Sequence, residues 1–193
     1  MPDPVLHLIA GPNGAGKTTL YDTIIGPVTH LDLISADIVA LERWPNEYAS
    51  MAYEAAAVAA DRRAELIEAR TSFATETVFS HASKLELVQA ALAAGYLVTL
   101  HVVMVPEELA VARVANRVEG GGHAVAEEKV RSRYARLWLL VASAFDVADA
   151  VIVYDNSQAA RPFRVVTRFE HGSIVGDPDW PSWTPDVVRE KAH

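Results

Sequence analysis

Residues 11–18 of the chain read GPNGAGKT and match the pattern G-x-x-x-x-G-K-[ST] at every fixed position. Glycines let the backbone turn so that successive N–H groups face one bound anion. The lysine of this pattern reaches the β- and γ-phosphates of a nucleotide, and the hydroxyl that follows it can coordinate Mg²⁺. The segment therefore predicts a P-loop that binds a nucleoside triphosphate together with Mg²⁺.

The residues expected to hold the nucleotide are those of the loop and of the position after it: Gly11, Pro12, Asn13, Gly14, Ala15, Gly16, Lys17, Thr18 and Thr19. Within this set, Lys17 is a candidate catalytic residue and Thr18 is the candidate metal ligand. The apolar run Val5–Ala10 before the loop indicates a buried strand, and Lys17–Ile25 indicates a helix. Such a helix points its positive end at bound phosphates, which favours the same prediction.

Asp37 is the candidate general base and a candidate substrate contact. It follows the predicted strand Leu31–Ser35, and ligands of open α/β sheets bind at the carboxyl ends of the strands. A carboxylate there can accept the proton of an attacking hydroxyl. The structural alternative is that Asp37 is the N-cap of a helix that runs from Ile38 onward.

Glu76 and Thr77 are further candidate substrate contacts, at the end of the predicted strand Phe73–Thr77. A carboxylate at the end of a buried strand is unfavourable unless it meets a ligand, a metal shell or a charged partner. Glu76 is expected to orient the acceptor or to hold waters around magnesium. The alternative is a salt bridge with a nearby arginine.

A basic segment around three glycines, residues 117–133, predicts a lid. Gly120–Gly122 supply flexible backbone, and closing the segment over the phosphates would exclude water and bring arginines onto the transferred phosphoryl group. Arg117 and Arg133 are the candidate catalytic arginines. His123 is interpreted as a loop or lid residue, and the alternative for the whole segment is a pair of helices with solvated charged faces.

The elements that must position these residues alternate between strand and helix patterns. Apolar strand-like runs occur at Val5–Ala10, Leu31–Ser35, Phe73–Thr77, Tyr96–Val105 and Ala150–Tyr154. Helical patterns occur at Lys17–Ile25, Asn46–Arg70, Ser83–Ala94, Pro106–Val118 and Ala126–Phe145. This alternation predicts an α/β fold of the three-layer P-loop NTPase type, with about five mainly parallel strands and helices on both faces. All 193 residues are expected to form one domain.

The tail, residues 160–193, differs from the rest of the chain. Phe163–Phe169 and Ser173–Val175 flank His171-Gly172 and predict a hairpin. The stretch after it is rich in Pro and Trp, which indicates a surface wrap. Trp180 and Trp183 are expected either to cover an edge of the core or to form a partner surface.

Composition narrows the class of protein. Hydrophobic residues make up 51% and charged residues 22%, which is typical of a globular protein. The absence of cysteine excludes disulfides and thiolate chemistry. A net charge of −8 disfavours binding to nucleic acid. No segment reads as a signal peptide or membrane span, so no membrane association is expected and a cytoplasmic location is the default.

Three classes of P-loop protein compete on the remaining motifs. An ABC transporter ATPase should carry an LSGGQ-like signature, and a GTPase should carry Asn-Lys-x-Asp; the sequence has neither. A small-molecule kinase needs a general base and cations near the transferred group, which the candidates above supply. An ATP-binding regulatory module without a small-molecule acceptor is the alternative from another class.

The chain resembles the zeta-toxin-like P-loop kinases, and specifically their short stand-alone branch, often labelled predicted ABC-type ATPases. The matching segments lie between Val5 and Ser157: Gly11–Thr19, Ser35–Ala40, Phe73–Ser80, Arg117–His123, Arg131–Tyr134 and Tyr154–Ser157. The sequence departs from the toxins after Asp37, where they usually have a basic or aromatic residue and an arginine and this chain has Ile38-Val39-Ala40.

The resemblance implies a phosphotransferase fold and an activity similar to that of the zeta toxins, which phosphorylate a sugar hydroxyl of UDP-N-acetylglucosamine. By position, Lys17 and Thr18 would bind ATP and Mg²⁺, and Asp37 would be the base. Glu76 would hold the acceptor sugar, and the two candidate lid arginines would stabilise the γ-phosphoryl. A small-molecule acceptor, with a UDP-sugar as one candidate, and an antitoxin protein are the partners that the resemblance implies.

Overall fold

The computed structural model describes residues 2–47, 50–119 and 126–192, without the side chains of residues 117–119 and 192. The strands are β1 (Val5–Ala10), β2 (Leu33–Ile34), β3 (Phe73–Thr77), β4 (Leu97–Met104), β5 (Ala150–Asp155), β6 (Arg164–Glu170) and β7 (Ser173–Val175). The described α-helices are α1 (Lys17–Leu20), α2 (Gly26–Thr29), α3 (Ala36–Arg43), α4 (Ala52–Glu68), α5 (Ser83–Ala93), α6 (Glu107–Glu119), α7 (Glu127–Phe145) and α8 (Asp186–Arg189). A π-helical turn, Tyr21–Ile25, joins α1 to α2, and a 3-10 turn follows α8.

All seven strands form one sheet in the order β2-β3-β1-β4-β5-β6-β7. The first five are parallel, and β6 and β7 are antiparallel to their neighbours. Strand β1 therefore lies between β3 and β4. The loop that leaves β1 begins beside the carboxyl ends of both neighbours, so residues distant in sequence meet at this edge.

The two faces of the sheet are covered unequally. Right-handed crossovers place α1 and α2 on one face, because they lead from β1 toward β2, and place α3 to α7 on the other, because their connections run the opposite way. On the α4–α7 face, Leu6, Leu8 and Leu100 are fully buried. On the α1 face, Leu97 is 50% exposed and His7 is partly exposed. The middle of the α1 face is closed as well, since Ile9 and Val103 are fully buried there, so the core extends over both faces of the sheet.

The predicted fold class is confirmed, including the parallel strands and the C-terminal hairpin. Strands β1 and β3 have the predicted bounds, and the hairpin corresponds to β6 and β7. The sequence did not indicate that the hairpin extends the main sheet through β5. An antiparallel strand added at an edge leaves no signal in its own alternation of residues, because its pairing partner is set by the remainder of the fold.

Two predicted helix boundaries were wrong. The helix predicted for Lys17–Ile25 continues to Thr29, because Pro27 takes a first-turn position where its missing N–H is not needed. The helix predicted for Asn46–Arg70 begins only at Ala52. Tyr48, which was expected near its start, lies outside the described residues.

The tail wraps back onto the body of the protein. Trp180 and Trp183 pack against the main hydrophobic core, so they cover its edge. Helix α8 lies against α7, and Lys191 pairs with Asp146 at 2.6 Å. In the part of the chain that the structure describes, no helix combines the length and the hydrophobicity needed to cross a membrane.

Three polar rings form a hydrogen-bonded row across β1, β4 and β5. His7 Nδ1 lies 2.9 Å from His101 Nε2, and His101 Nδ1 lies 3.2 Å from the hydroxyl of Tyr154. His101 is only 4% exposed. Burial, with a smaller contribution from His7, lowers the pKa of His101 from 6.5 to about 3.

The neutral state of His101 makes folding stability depend on pH. Because folding lowers the pKa of this base, its contribution is complete above pH 6.5 and is lost as the pH falls toward 3. We expect His101→Phe to reduce the pH slope of the unfolding free energy in this window by up to about 1.4 kcal/mol per pH unit. Urea denaturation at several pH values between about 4 and 7 measures that slope.

His30→Asn is the control for the histidine experiment. His30 is exposed and has a left-handed backbone that asparagine tolerates, so this variant should keep the wild-type slope. Equal slopes in wild type and His101→Phe would show that another group causes the acid sensitivity.

Candidate active site

A cleft of about 810 Å³ opens at the carboxyl edge of β1 and β3. Its walls come from the P-loop, the β2–α3 turn, α4, the β3–α5 turn with the start of α5, and the facing sides of α6 and α7. The predicted site residues that line it are Asn13, Gly14, Gly16, Lys17, Thr18, Thr19, Asp37, Glu76, Thr77 and Arg133. The other three P-loop residues, Gly11, Pro12 and Ala15, are buried and shape the loop from below.

Two glycines of the P-loop have a backbone that other residues adopt only with strain. Gly14 has φ +77° and Gly16 has φ +91°. A Cβ atom on Gly14 would lie 2.8 Å from the carbonyl oxygen of Ala110, and one on Gly16 would lie 2.7 Å from Asn156 Nδ2. Gly16 is also the N-cap residue of α1. Both the turn and the close approach of its neighbours therefore need glycine.

The P-loop is held from outside by two side chains. Asn156 Nδ2, just after β5, donates a hydrogen bond to the carbonyl oxygen of Ala15 at 2.8 Å. Arg113 of α6 donates to the carbonyl oxygens of Gly14 at 3.3 Å and of Asn156 at 3.0 Å. These bonds tie the loop to the end of β5 and to α6, and they fix its backbone before a ligand arrives.

The carboxylate of Glu76 lies directly beside the hydroxyl of Thr18. Thr18 Oγ1 donates to the two carboxylate oxygens at 3.0 and 3.1 Å, and Ser35 Oγ donates to Oε1 at 3.0 Å. Among the described side chains, no arginine pairs with Glu76 within 4.0 Å, so none of them forms the salt bridge of the alternative. A hydroxyl and a carboxylate this close can share a divalent cation or its waters.

Asp37 lines the cleft from the first turn of α3. The helix begins at Ala36, and the hydroxyl of Ser35 accepts a hydrogen bond from the backbone N–H of Asp37 at 3.2 Å. Ser35 is therefore the N-cap, and the alternative that Asp37 caps the helix is wrong. Because a different residue caps α3, the carboxylate of Asp37 is available to the cleft.

Cationic side chains approach the cleft from several elements. Lys17 Nζ donates to the carbonyl oxygen of Pro12 at 3.1 Å. Arg113 from α6 and Lys129 and Arg133 from α7 also line the cleft. Positive charge thus surrounds the space above the P-loop, as binding of a triphosphate requires.

The predicted lid is described only in part. Arg131 of α7 pairs with Glu107 and Glu108 of α6 and with Glu127 of its own helix, at N–O distances of 2.6–3.3 Å. The candidate Arg117 belongs to α6, but its side chain lies outside the described residues, as do Gly120–Gly122 and His123. The lid and its second arginine therefore stay predictions.

Several residues at the site were not among the predicted site residues, among them Arg63, Lys84, Arg113 and Asn156. Arg113 is one helical turn before Arg117, so the spacing along α6 could have indicated it. Asn156 follows β5, whose carboxyl end shares the edge with the P-loop. Arg63 and Lys84 carry no local signal, because a cation within an amphipathic helix usually lies on the solvent face.

Solved structures of low sequence identity share this fold. A candidate kinase from Chloroflexus aurantiacus has a TM-score of 0.61 at 17% identity, over 83% of this chain and 92% of that one. A structure of the PezAT toxin–antitoxin system of Streptococcus pneumoniae has a TM-score of 0.64 at 13% identity, over 98% and 78%. The AvrRxo1-ORF1:-ORF2 structure with ATP has a TM-score of 0.70 at 15% identity, over 90% and 60%. At these identities the likeness establishes an α/β P-loop fold of the kinase type.

The sequence comparisons agree with the loop geometry. By sequence, no curated protein matches the chain. The model of the AAA domain family matches residues 6–140, from β1 into α7 and including the whole P-loop. The match covers well over half of the chain and contains the loop whose backbone is built for phosphates. The chain therefore belongs to the AAA domain family of P-loop proteins.

Proposed function

We propose that the protein is a kinase that uses ATP and Mg²⁺ to phosphorylate a hydroxyl group of a small molecule. The observation that carries this proposal is that Lys17, Asp37 and Glu76 line one cleft. Phosphoryl transfer to a hydroxyl needs a cation on the phosphates, a base for the hydroxyl and a carboxylate near the metal. These three side chains supply one group each.

The nucleotide phosphates would lie in the P-loop, in front of the N-terminus of α1. Lys17 would contact the β- and γ-phosphates, and the Thr18 hydroxyl with the adjacent Glu76 carboxylate would hold Mg²⁺. When bound, the metal neutralises negative charge that develops on the phosphate oxygens. Arg133 lines the cleft and would act on the transferred group, with Arg117 as the second candidate.

The transfer step follows from this arrangement. The acceptor oxygen attacks the γ-phosphorus and forms a new P–O bond, while the bond to the β–γ bridging oxygen breaks and ADP leaves with that electron pair. The hydroxyl proton passes to the carboxylate of Asp37. Arg133 stabilises the charge spread over the equatorial oxygens as the group moves.

The acceptor would occupy the part of the cleft between Asp37 and Thr77. The whole cleft measures about 810 Å³, and the ATP phosphates would share this volume with the acceptor. UDP-N-acetylglucosamine is the first acceptor to test, because the chain resembles the zeta-toxin-like kinases. The PezAT structure is of a toxin–antitoxin system, so an antitoxin protein is a proposed partner.

A transfer assay tests the proposal directly. Purified protein with Mg²⁺-ATP would be given a panel of UDP-sugars, nucleosides and free sugars, and products would be followed by mass. A phosphorylated acceptor that disappears in Lys17→Ala supports the kinase. Tight ATP binding with no product across the panel would favour the alternative, an ATP-binding regulatory module that acts through a partner protein.

Asp37→Asn tests the base. We expect this variant to lower the transfer rate about a hundredfold or more, because the proton acceptor is lost, while ATP affinity is nearly unchanged. Rates from product mass and affinity from calorimetry measure the two effects. Asp61→Asn on the exposed side of α4 is the matched control and should behave as wild type. Unchanged transfer in Asp37→Asn would show that the base assignment is wrong.

Glu76→Gln tests whether this carboxylate serves the metal or the acceptor. Because Glu76 touches the Thr18 hydroxyl, we expect the Mg²⁺ concentration for half-maximal rate to rise about tenfold or more, while ATP binding in EDTA is unchanged. A Mg²⁺ titration of the rate measures this, with Glu86→Gln on the exposed side of α5 as control. An unchanged Mg²⁺ requirement with a higher KM for the acceptor would assign Glu76 to the acceptor instead.

A further inference from the structure

Arg63 is a buried cation in the wall of the cleft. It belongs to α4, is 6% exposed and lines the cleft. Among the described residues, its guanidinium makes one long hydrogen bond, from Nη1 to the Thr75 hydroxyl at 3.5 Å. Arginine is rarely buried to this degree unless a carboxylate or another anion pairs with it.

Lys84 brings a second cation to the same wall. It lies in the first turn of α5, is half-buried and lines the cleft. The positive end of a helix is the unfavourable end for a lysine. In residues 2–47, 50–116 and 126–191, whose side chains are described, no carboxylate lies within 4.0 Å of the charged groups of Lys84 or Arg63.

The pKa shifts of Arg63 and Lys84 agree with the burial of both side chains in the cleft wall. Burial lowers the pKa of Arg63 and the pKa of Lys84, and the nearby Arg63 lowers the pKa of Lys84 further. Both shifts mean that the protein disfavours these charges in the absence of a ligand. An anion placed between them would remove the repulsion and satisfy the donors.

Glu76 does not compensate the pair, because neighbouring residues of a strand point to opposite faces of the sheet. Thr75 contacts Arg63 on the face of α4. The next residue, Glu76, turns to the α1 face, where it accepts hydrogen bonds from Thr18 and Ser35. Strand β3 therefore separates the metal-side carboxylate from the two cations, although all of these groups border one cleft.

The turn that carries Lys84 is fixed in place. Phe79 is fully buried and has φ +63°, a left-handed backbone that is strained for a bulky residue. Its N–H donates to the Thr77 hydroxyl at 3.3 Å. Such strain persists only where the surrounding structure determines the conformation, and it occurs preferentially at functional sites. The short β3–α5 turn thus places Lys84 at the edge of the cleft, near enough to Arg63 for the charge of Arg63 to lower its pKa.

We propose that Arg63 and Lys84 form a second anion-binding subsite, so that the acceptor carries a phosphate or carboxylate group in addition to the hydroxyl that is phosphorylated. This inference rests on the proposed kinase function for its account of the ligand. Neither residue belongs to the P-loop or to α6 and α7, the elements that supply the cations around the transferred phosphoryl. The subsite would orient the acceptor from the α4–α5 side and select against neutral sugars.

A binding experiment decides whether the subsite exists. The P-loop is first saturated with Mg²⁺ and a non-hydrolysable ATP analogue, and the melting temperature is then followed as inorganic phosphate, or separately acetate, is added. We expect a saturable rise in Tm with at least one anion in wild type and its loss in Lys84→Gln and Arg63→Gln. The two anions distinguish a phosphate site from a carboxylate site.

Arg62→Gln is the matched control, because Arg62 is the neighbouring cation on α4 and pairs with Glu42 at 2.9 Å. It removes the same charge and should keep the wild-type response to anions. Without added anions, Lys84→Gln should melt at a higher temperature than wild type, because it removes a desolvated, repelled charge. If Arg63→Gln fails to fold, Lys84→Gln alone carries the comparison.

Kinetics then link the subsite to the acceptor. For matched neutral and anionic acceptors of the transfer panel, Lys84→Gln should raise the KM of the anionic acceptor about tenfold to a hundredfold, as expected for loss of a charge-assisted hydrogen bond. The KM for ATP should not change.

Two outcomes would overturn the subsite. One is an equal thermal response to both anions in wild type and Lys84→Gln. The other is a KM for an anionic acceptor that does not change in Lys84→Gln. If no acceptor is phosphorylated at all, the kinase proposal fails, while the thermal response still decides whether the anion site exists.

Discussion

The direct adjacency of β3 and β1 is the constraint on which the rest of the site depends. Because β3 pairs with β1 in parallel register, the end of β3 lies beside the start of α1. Glu76 thereby reaches the Thr18 hydroxyl across 58 residues of sequence. Had another strand been inserted between them, roughly 4.8 Å of added separation would place the carboxylate out of reach of that hydroxyl.

The same strand divides the cleft into two chemical environments. On the α1 face, Glu76 is surrounded by hydroxyl donors and borders the P-loop. On the α4 face, Thr75 meets the buried guanidinium of Arg63, and Lys84 adds a second positive charge. Thr75 and Glu76 are adjacent in sequence, but they face a positive and a negative environment on opposite sides of the sheet. Without a ligand, the two neighbouring positive charges lower the stability of the folded state. With a ligand, the cleft offers one negative and one positive surface to the bound molecule.

Local sequence patterns were sufficient to predict part of the fold and part of the site. The P-loop, the parallel strands and the cleft positions of Asp37 and Glu76 follow from a motif, from apolar runs and from the rule that strand ends share an edge. Arg63 was not predicted as a site residue, because its position in the cleft depends on the packing of α4 against β3, which the local sequence pattern does not encode. The start of α4 was predicted at Asn46 and lies at Ala52, since intrinsic helix propensity is a weak guide to helix ends. The continuation of α1 through Pro27 was missed for the same reason.

The C-terminal hairpin lies outside the segment that matches the family model, yet it supports the end of β5, where a residue that holds the P-loop is located. The family match ends at residue 140, within α7. Asn156, which holds the carbonyl of Ala15, lies beyond it, just after β5. Asp155, beside Asn156, is held in turn by Arg164 of β6 at 3.0 Å. A fragment cut to the matched segment would keep every residue of the P-loop motif and Arg113, but it would lose the hydrogen bond from Asn156 to Ala15. The segment that the family model matches is therefore shorter than the segment that holds the P-loop in place.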